Sequence, residues 1–275
     1  MFLTDFHMHS TCSFDANDTM ADMLTAARDR GIEALCFTDH CDFDIPETMQ
    51  LDGFAVPAQQ RAQYDAALQR APAGMYVGLG LELGEANHAP DRALGVYAMP
   101  EYDFILGSLH NLRDTADFYD LRYENYEQCY ALYDLYLDEL IELAALPCFD
   151  VMAHIGYCIR YMHGQGFHAE LSMERQGDRI DKLLRILIEN GRGVELNCAD
   201  LVAGGRENPL LCTIPTVPIM RRYRELGGEI VTLGSDAHNT RCAGFGIREG
   251  CELLRDIGFR YTAMYRRHKP IFIKI

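Results

Sequence analysis

Short β-branched and aliphatic runs alternate with amphipathic stretches along the chain. The runs predict strands at residues 3–6, 34–38, 76–82, 104–107, 149–153, 193–197 and 229–234. A last run at 270–275 reads as a further, closing strand. Helices are predicted at 20–30, 58–70, 126–145, 178–190, 217–226 and 246–256. In the third of these, Tyr126, Tyr130, Tyr133, Leu137, Leu140, Ile141 and Ala144 recur three and four apart, which predicts one buried stripe. The pairs Arg30-Gly31, Asn190-Gly191 and Leu226-Gly227 end helices in a form that suits a left-handed cap. Strand, helix, capped turn and strand is the rhythm of βαβ units. Seven such strands in 275 residues predict an α/β fold, a (β/α) barrel, with a doubly wound open sheet as the alternative. No composition break divides the chain, so residues 1–275 read as a single domain.

Composition narrows the class. Hydrophobic residues make up 48%, enough for a large core. No apolar stretch approaches the roughly 20 residues of a membrane span, and the start lacks the basic and apolar pattern of a signal peptide. A soluble, cytoplasmic protein without membrane association is expected. The ten cysteines form no CxxC pair and several lie inside apolar runs, so they read as small buried hydrophobes in a reducing compartment. The formal net charge is −16, and Lys and Arg are not clustered. That disfavours a polymeric nucleic acid as partner. A small phosphorylated substrate stays compatible if metals or a few arginines attract it locally.

Chemistry gathers where the predicted strands end. The first runs into His7-Met8-His9, the second into Asp39-His40, and the third ends at Glu82. The fourth runs into His110, the fifth into His154, and the seventh into Asp236-Ala237-His238. Carboxyl ends of parallel barrel strands converge on one face. Residues two apart on extended chain point to the same side, so His7 with His9, and Asp236 with His238, each present two donors to one volume. Imidazole and carboxylate without thiolate suit Zn, Mn or Fe. With Asp15 in the turn after the first motif, the donors exceed what one ion takes, and two or three divalent ions are expected. His88 and His268 read as surface residues. His163 and His168 fall in a Gly-rich stretch expected on the active face. No GxSxG elbow or Walker-type loop is present, and Gly78-Leu79-Gly80 lacks a dinucleotide signature.

His7-Met8-His9-Ser10, Thr38-Asp39-His40, Gly107-Ser108-Leu109-His110 and Gly234-Ser235-Asp236-Ala237-His238 resemble the four motifs of the PHP (polymerase and histidinol phosphatase) superfamily, in order, over residues 1 to about 245. Three more segments are similar to its histidinol-phosphate phosphatases: Gly80-Leu81-Glu82, Ala153-His154-Ile155-Gly156 leading to Arg160-Tyr161, and Val194-Glu195-Leu196-Asn197. The resemblance implies a distorted (β/α)7 barrel with a trinuclear site. One ion would take His7, His9, Glu82 and Asp236, a second Glu82, His110 and His154, and a third Asp15, His40 and His238. Many members carry histidine where Asp15 stands. The resemblance also points to Arg160 as the phosphate-binding, catalytic cation; a salt bridge in the barrel wall is the plainer role for it. Two close ions would lower the pKa of a bridging water to supply hydroxide. The implied reaction is hydrolysis of L-histidinol phosphate, in histidine biosynthesis. A phosphoesterase acting on nucleotides, cyclic phosphates or another small ester is the alternative, and a non-catalytic metal-binding module a third reading. Residues 199–217, with Arg206, Glu207 and Asn208, are expected to shape the pocket. Glu195, Asp200 and Glu207 are candidates to meet a substrate amine.

Overall fold

The computed structural model describes residues 1–45, 48–49, 51, 56–169, 172–199, 201 and 216–275. Seven parallel strands lie in chain order in one sheet: β1 (Leu3–Asp5), β2 (Ile32–Asp42), β3 (Tyr76–Gly84), β4 (Phe104–Ser108), β5 (Val151–Met152), β6 (Gly193–Asn197) and β7 (Val231–Gly234). The first and last strands meet. Phe6 N donates to Leu233 O at 2.7 Å, Asp236 N to His7 O at 2.8 Å, and His9 N to Ala237 O at 2.9 Å. The sheet therefore curls into a (β/α)7 barrel, and the open-sheet alternative is set aside.

Helices α1 (Met20–Asp29), α2 (Ala58–Arg70), α4 (Tyr126–Ala145), α6 (Met173–Glu189), α7 (Thr216–Glu225) and α8 (Ile247–Ile257) correspond to predicted ones. Two were not predicted, α3 (Pro90–Tyr97) and α5 (Tyr157–Gly164). Each has only eight residues, too few for a periodic stripe to stand out. α6 begins five residues earlier than expected because Ser172 caps it, accepting from Arg175 N. Gly31, Gly191 and Gly227 take φ values of 86°, 67° and 94°, as the capped turns require.

The stripe on α4 is corrected. Its buried residues are Cys129, Tyr133, Tyr136, Leu137, Leu140, Leu143 and Ala144. Tyr126 is exposed, and Tyr130 and Ile141 are only partly covered. At the start of α4, Tyr126 meets the Phe167 ring and Arg175 sits over Tyr130.

The closing strand is also corrected. β9 (Lys269–Lys274) pairs antiparallel with β8 (Tyr261–Arg266) and belongs to a separate two-stranded hairpin. Ala263, Met264 and Tyr265 of this hairpin pack with Phe6, Cys36, Phe104 and Val151 in a small apolar cluster, distinct from the large one. The hairpin thus seals one end of the barrel. The nine described cysteines are all free, and most are buried. Among the described residues no helix is long and apolar enough to cross a membrane.

Candidate metal centre

At the carboxyl end of β1, residues alternate in direction. Phe6 and Met8 are fully buried in apolar packing, while His7 and His9 face the barrel mouth with their Nε2 atoms 3.1 Å apart. β3 delivers Glu82 between the two halves of the cluster. Its Oε2 lies 3.1 Å from His7 Nε2 and 3.4 Å from His9 Nε2, and its Oε1 lies 3.1 Å from His110 Nε2 and 2.8 Å from His154 Nε2. One carboxylate thus addresses two groups of imidazoles. Asp236 follows β7 in a left-handed conformation, φ 53°, which sets its Oδ1 at 3.5 Å from both His7 and His9 Nε2.

The outer part of the cluster is more open. Asp15 Oδ2 is 3.1 Å from His238 Nε2 and 3.7 Å from His40 Nε2. The His9 ring lies between those two imidazoles, 4.4 Å from His40 and 4.1 Å from His238. Arg160 from α5 is buried with Nη1 3.7 Å from Asp236 Oδ2, and its guanidinium lies beside the Tyr157 ring. The structure therefore brings His7, His9, Asp15, His40, Glu82, His110, His154, Asp236, His238 and Arg160 to one mouth.

The donor set fits cations. Four groups converge with their donor atoms within 4.8 Å: His7, His9 and Glu82; Glu82, His110 and His154; His9, His40 and His238; and His40, Asp42 and His110. The remote nitrogens explain why. His7 Nδ1 is 2.6 Å from Glu195 Oε1, and His238 Nδ1 is 3.0 Å from the Asp236 carbonyl. Both partners only accept, so those nitrogens carry the hydrogen and turn the Nε2 lone pairs inward. Electrostatics agree. Burial works against charge on His7, but Glu195, Glu82 and Asp236 push its pKa well above the ordinary value. Burial likewise opposes charge on His40, yet Asp42 and Glu82 raise it to about 10. Burial would raise Glu82, but His7 and His110 hold it well below the usual carboxylate range. The cavity rewards positive charge at its centre.

Supporting residues went unassigned in the sequence. Ser13 Oγ contacts His9 Nδ1 at 3.1 Å and donates to Asp39 Oδ1 at 2.9 Å, and Asp39 also accepts from Ser10 N at 2.6 Å. Asp42 Oδ2 sits 3.1 Å from His40 Nδ1, and Oδ1 3.5 Å from His110 Nδ1. The signal for Asp42 was its place two residues after His40 on one strand. Glu195 was a candidate for a substrate amine. Its side chain is fully buried behind His7, and its second oxygen accepts from His154 N at 2.8 Å, so it cannot face a ligand.

Other assignments change too. His88 is not a surface residue: its side chain is 4% exposed, clasped between Asp44 and Glu139 at 2.6 Å each. His268 is partly buried, 2.9 Å from Asp150. His163 lies in α5 and contacts Ala169 O at 2.8 Å, and neither it nor His168 lines the cleft. Asp200, Arg206, Glu207 and Asn208 lie outside the described residues. The cleft over the cluster has a volume of about 760 Å³, and its further walls include Phe14, Asp117, Tyr119, Tyr157 and Tyr161.

Comparison with known proteins places this geometry in a family. The chain is 28% identical to a Thermotoga maritima protein named "Probable histidinol-phosphatase", over 95% of each chain. It is 24% identical to a Lactococcus lactis protein named "Histidinol-phosphatase", over 95% of this chain and 93% of that one. Its fold superposes on the crystal structure of histidinol phosphate phosphatase from Lactococcus lactis complexed with zinc, L-histidinol and phosphate. The TM-score is 0.75 at 21% identity, covering 98% of both chains. The PHP domain model matches residues 5–199, a span that holds seven of the nine donors and Arg160, and on that match the chain belongs to the PHP domain family.

Proposed function

We propose that this chain, acting as one unit over residues 1–275, is a metal-dependent phosphomonoesterase that hydrolyses L-histidinol phosphate to L-histidinol and phosphate. The observation that carries the reading is Glu82, whose two oxygens reach toward two separate imidazole groups in one buried mouth. The names of the relatives, and the zinc, L-histidinol and phosphate of the Lactococcus lactis complex, support the substrate.

Two or three divalent ions, Zn, Mn or Fe, would occupy the cluster. His7, His9, Glu82 and Asp236 would hold one, Glu82, His110 and His154 a second, and Asp15, His40 and His238 a third. Such ions lower the pKa of a nearby water and offset negative charge on a phosphoryl group. The chain's own residues do the rest. Arg160 presents a planar guanidinium at the wall of the cleft, matched to two phosphoryl oxygens. Asp236, 3.7 Å away, and the Tyr157 ring hold that guanidinium in place. Glu195, Ser13 and Asp42 contact the imidazoles of His7, His9 and His40 and orient them.

The test is an assay of phosphate release by metal-loaded protein from L-histidinol phosphate, nucleoside monophosphates and bisphosphates. Preference for histidinol phosphate is expected, and preference for nucleotides would overturn the substrate assignment. Glu82→Ala should lose bound metal and activity together. A metal-depleted Glu82→Ala protein with full activity would end the metal-dependent reading.

A further inference from the structure

The centre accounts for phosphate and for metal, but it leaves unexplained the charge of the outer cleft. Among the described lining residues, Arg160 is the sole Lys or Arg, and it lies deep, beside Asp236. Among the described residues outside the donor cluster, the charged walls are Asp44, Asp117 and Asp120. A phosphate ester is itself negative. An acidic vestibule around its other end repels it unless that end is positively charged.

The three carboxylates are not equivalent. Asp44 is already matched: His88 Nδ1 lies 2.6 Å from its Oδ2, and Asn111 Nδ2 donates to the same oxygen at 3.2 Å. Asp120 is exposed, where water screens it. Asp117 is half-buried, accepts from Tyr119 N at 2.7 Å and weakly from the Tyr157 hydroxyl at 3.4 Å, and has no ion pair with a described residue.

Its position is fixed relative to the centre. Phe118 N donates to His110 O at 2.9 Å, and the Phe118 ring is fully buried against Tyr136. The next residue along from Asp117 is thus bolted to a proposed metal-binding residue. Tyr157 spans the gap. Its ring is 4.8 Å from His110 and 5.1 Å from His154, while its hydroxyl reaches Asp117. Tyr157 thus lines the path between the donors and the carboxylate. Tyr161 and Tyr119 continue this aromatic wall outward, with ring contacts of 4.9 and 5.5 Å.

We infer that Asp117 is the specificity-determining residue that receives a positively charged group of the leaving alcohol, with Tyr157 and Tyr161 flanking it. The substrate class is a phosphate monoester whose alcohol carries an ammonium or protonated ring on the side away from the phosphate. A charge-assisted hydrogen bond to Asp117 and an aromatic face beside the cation together recognise it. This inference rests on the phosphomonoesterase reading above and adds the residue that selects among esters.

The experiment compares kcat/KM for L-histidinol phosphate with that for glycerol phosphate, whose alcohol is uncharged. Metal-loaded wild type, Asp117→Asn, Asp117→Ala and Asp120→Asn are measured, with metal content determined for each. Wild type should favour the cationic ester. In both Asp117 variants the ratio of the two constants should fall about tenfold or more, the size of one charge-assisted contact. In Asp120→Asn the ratio should hold. Competitive inhibition by L-histidinol should weaken in parallel in the Asp117 variants. An unchanged ratio in both Asp117 variants overturns the inference and leaves the phosphatase reading intact. A wild type that favours glycerol phosphate overturns the substrate reading and the inference with it.

Discussion

Glu195 has no exposed surface, yet each of its oxygens has a partner: His7 Nδ1 at 2.6 Å and His154 N at 2.8 Å. A buried carboxylate used this way sets an imidazole's tautomer and raises its basicity toward a metal. Glu195→Gln keeps the shape and removes the charge. Metal affinity should fall about 10- to 100-fold, and excess metal should restore most of kcat. Isothermal titration of the apo-protein with Zn²⁺ or Mn²⁺ checks this, and an unchanged affinity would show that Glu195 only packs. His88 makes a pH-dependent prediction away from the centre. Burial opposes its charge, but Glu139 and Asp44 raise its pKa above the ordinary value. The raised pKa means this contribution is whole below about pH 6.5 and fades as pH climbs through the folded value. Glu139 shifts the other way, lowered chiefly by His88 against the effect of burial, so its share is lost as pH falls. The difference in melting temperature between wild type and His88→Asn should therefore be largest near pH 6 and shrink toward alkaline pH. A difference that grew with pH would contradict the clasp.

β2 shows how a polar ending hides a strand. The predicted strand stops at residue 38, yet Asp39, His40 and Asp42 are buried and the pairing with β3 runs on to Asp42–Gly84. Gly84 is required there because a Cβ would collide with the Asp42 carboxylate. Gly80 on the same strand is held more tightly still: a Cβ would strike the Phe104 carbonyl of β4 and come within 2.9 Å of Cys36 Sγ. A backbone atom in a paired strand cannot step aside. Gly80→Ala should cost about 1–3 kcal/mol, as overpacking does, read by urea unfolding. Helix ends are milder. The Asn125 side chain accepts from Gln128 N at 2.9 Å to start α4, and Asn125→Ala should cost about 1 kcal/mol by the same measurement. In the sequence, glycine marked only the C-terminal ends of helices. Ser172, capping α6, looks like any loop serine until its partner Arg175 N is seen.

At the scale of the molecule, charge and packing are separated along the barrel. One end collects imidazoles and carboxylates, and the other is stoppered by the β8–β9 hairpin, where the Phe104 ring lies 5.4 Å from Phe6 and 4.9 Å from Tyr265. Ions that bind the folded state and not the unfolded chain stabilise it by mass action. Exhaustive chelation should lower the melting temperature, and Zn²⁺ or Mn²⁺ should restore it; scanning calorimetry decides. A melting point indifferent to metal would mean the cluster is self-sufficient. The barrel class and the convergence of donors were legible because both follow from local rules: β-runs alternating with helices, and a His, Asp or Glu at the end of six of the seven runs. The family motifs ordered them further. What lay beyond reach depends on pairs distant in sequence. Nothing near Glu195 says that it backs His7, nothing near His88 says that it is clasped by Glu139, and nothing in residues 270–275 says that they pair with 261–266 outside the barrel. The chain by itself determined which residue types arrive at each strand end, since side-chain direction on extended backbone is a local property. Tertiary structure alone decided which nitrogen of His7 turns inward and which cleft carboxylate gains an ion-pair partner, because a proton's place and a charge's compensation are set by neighbours that only folding supplies.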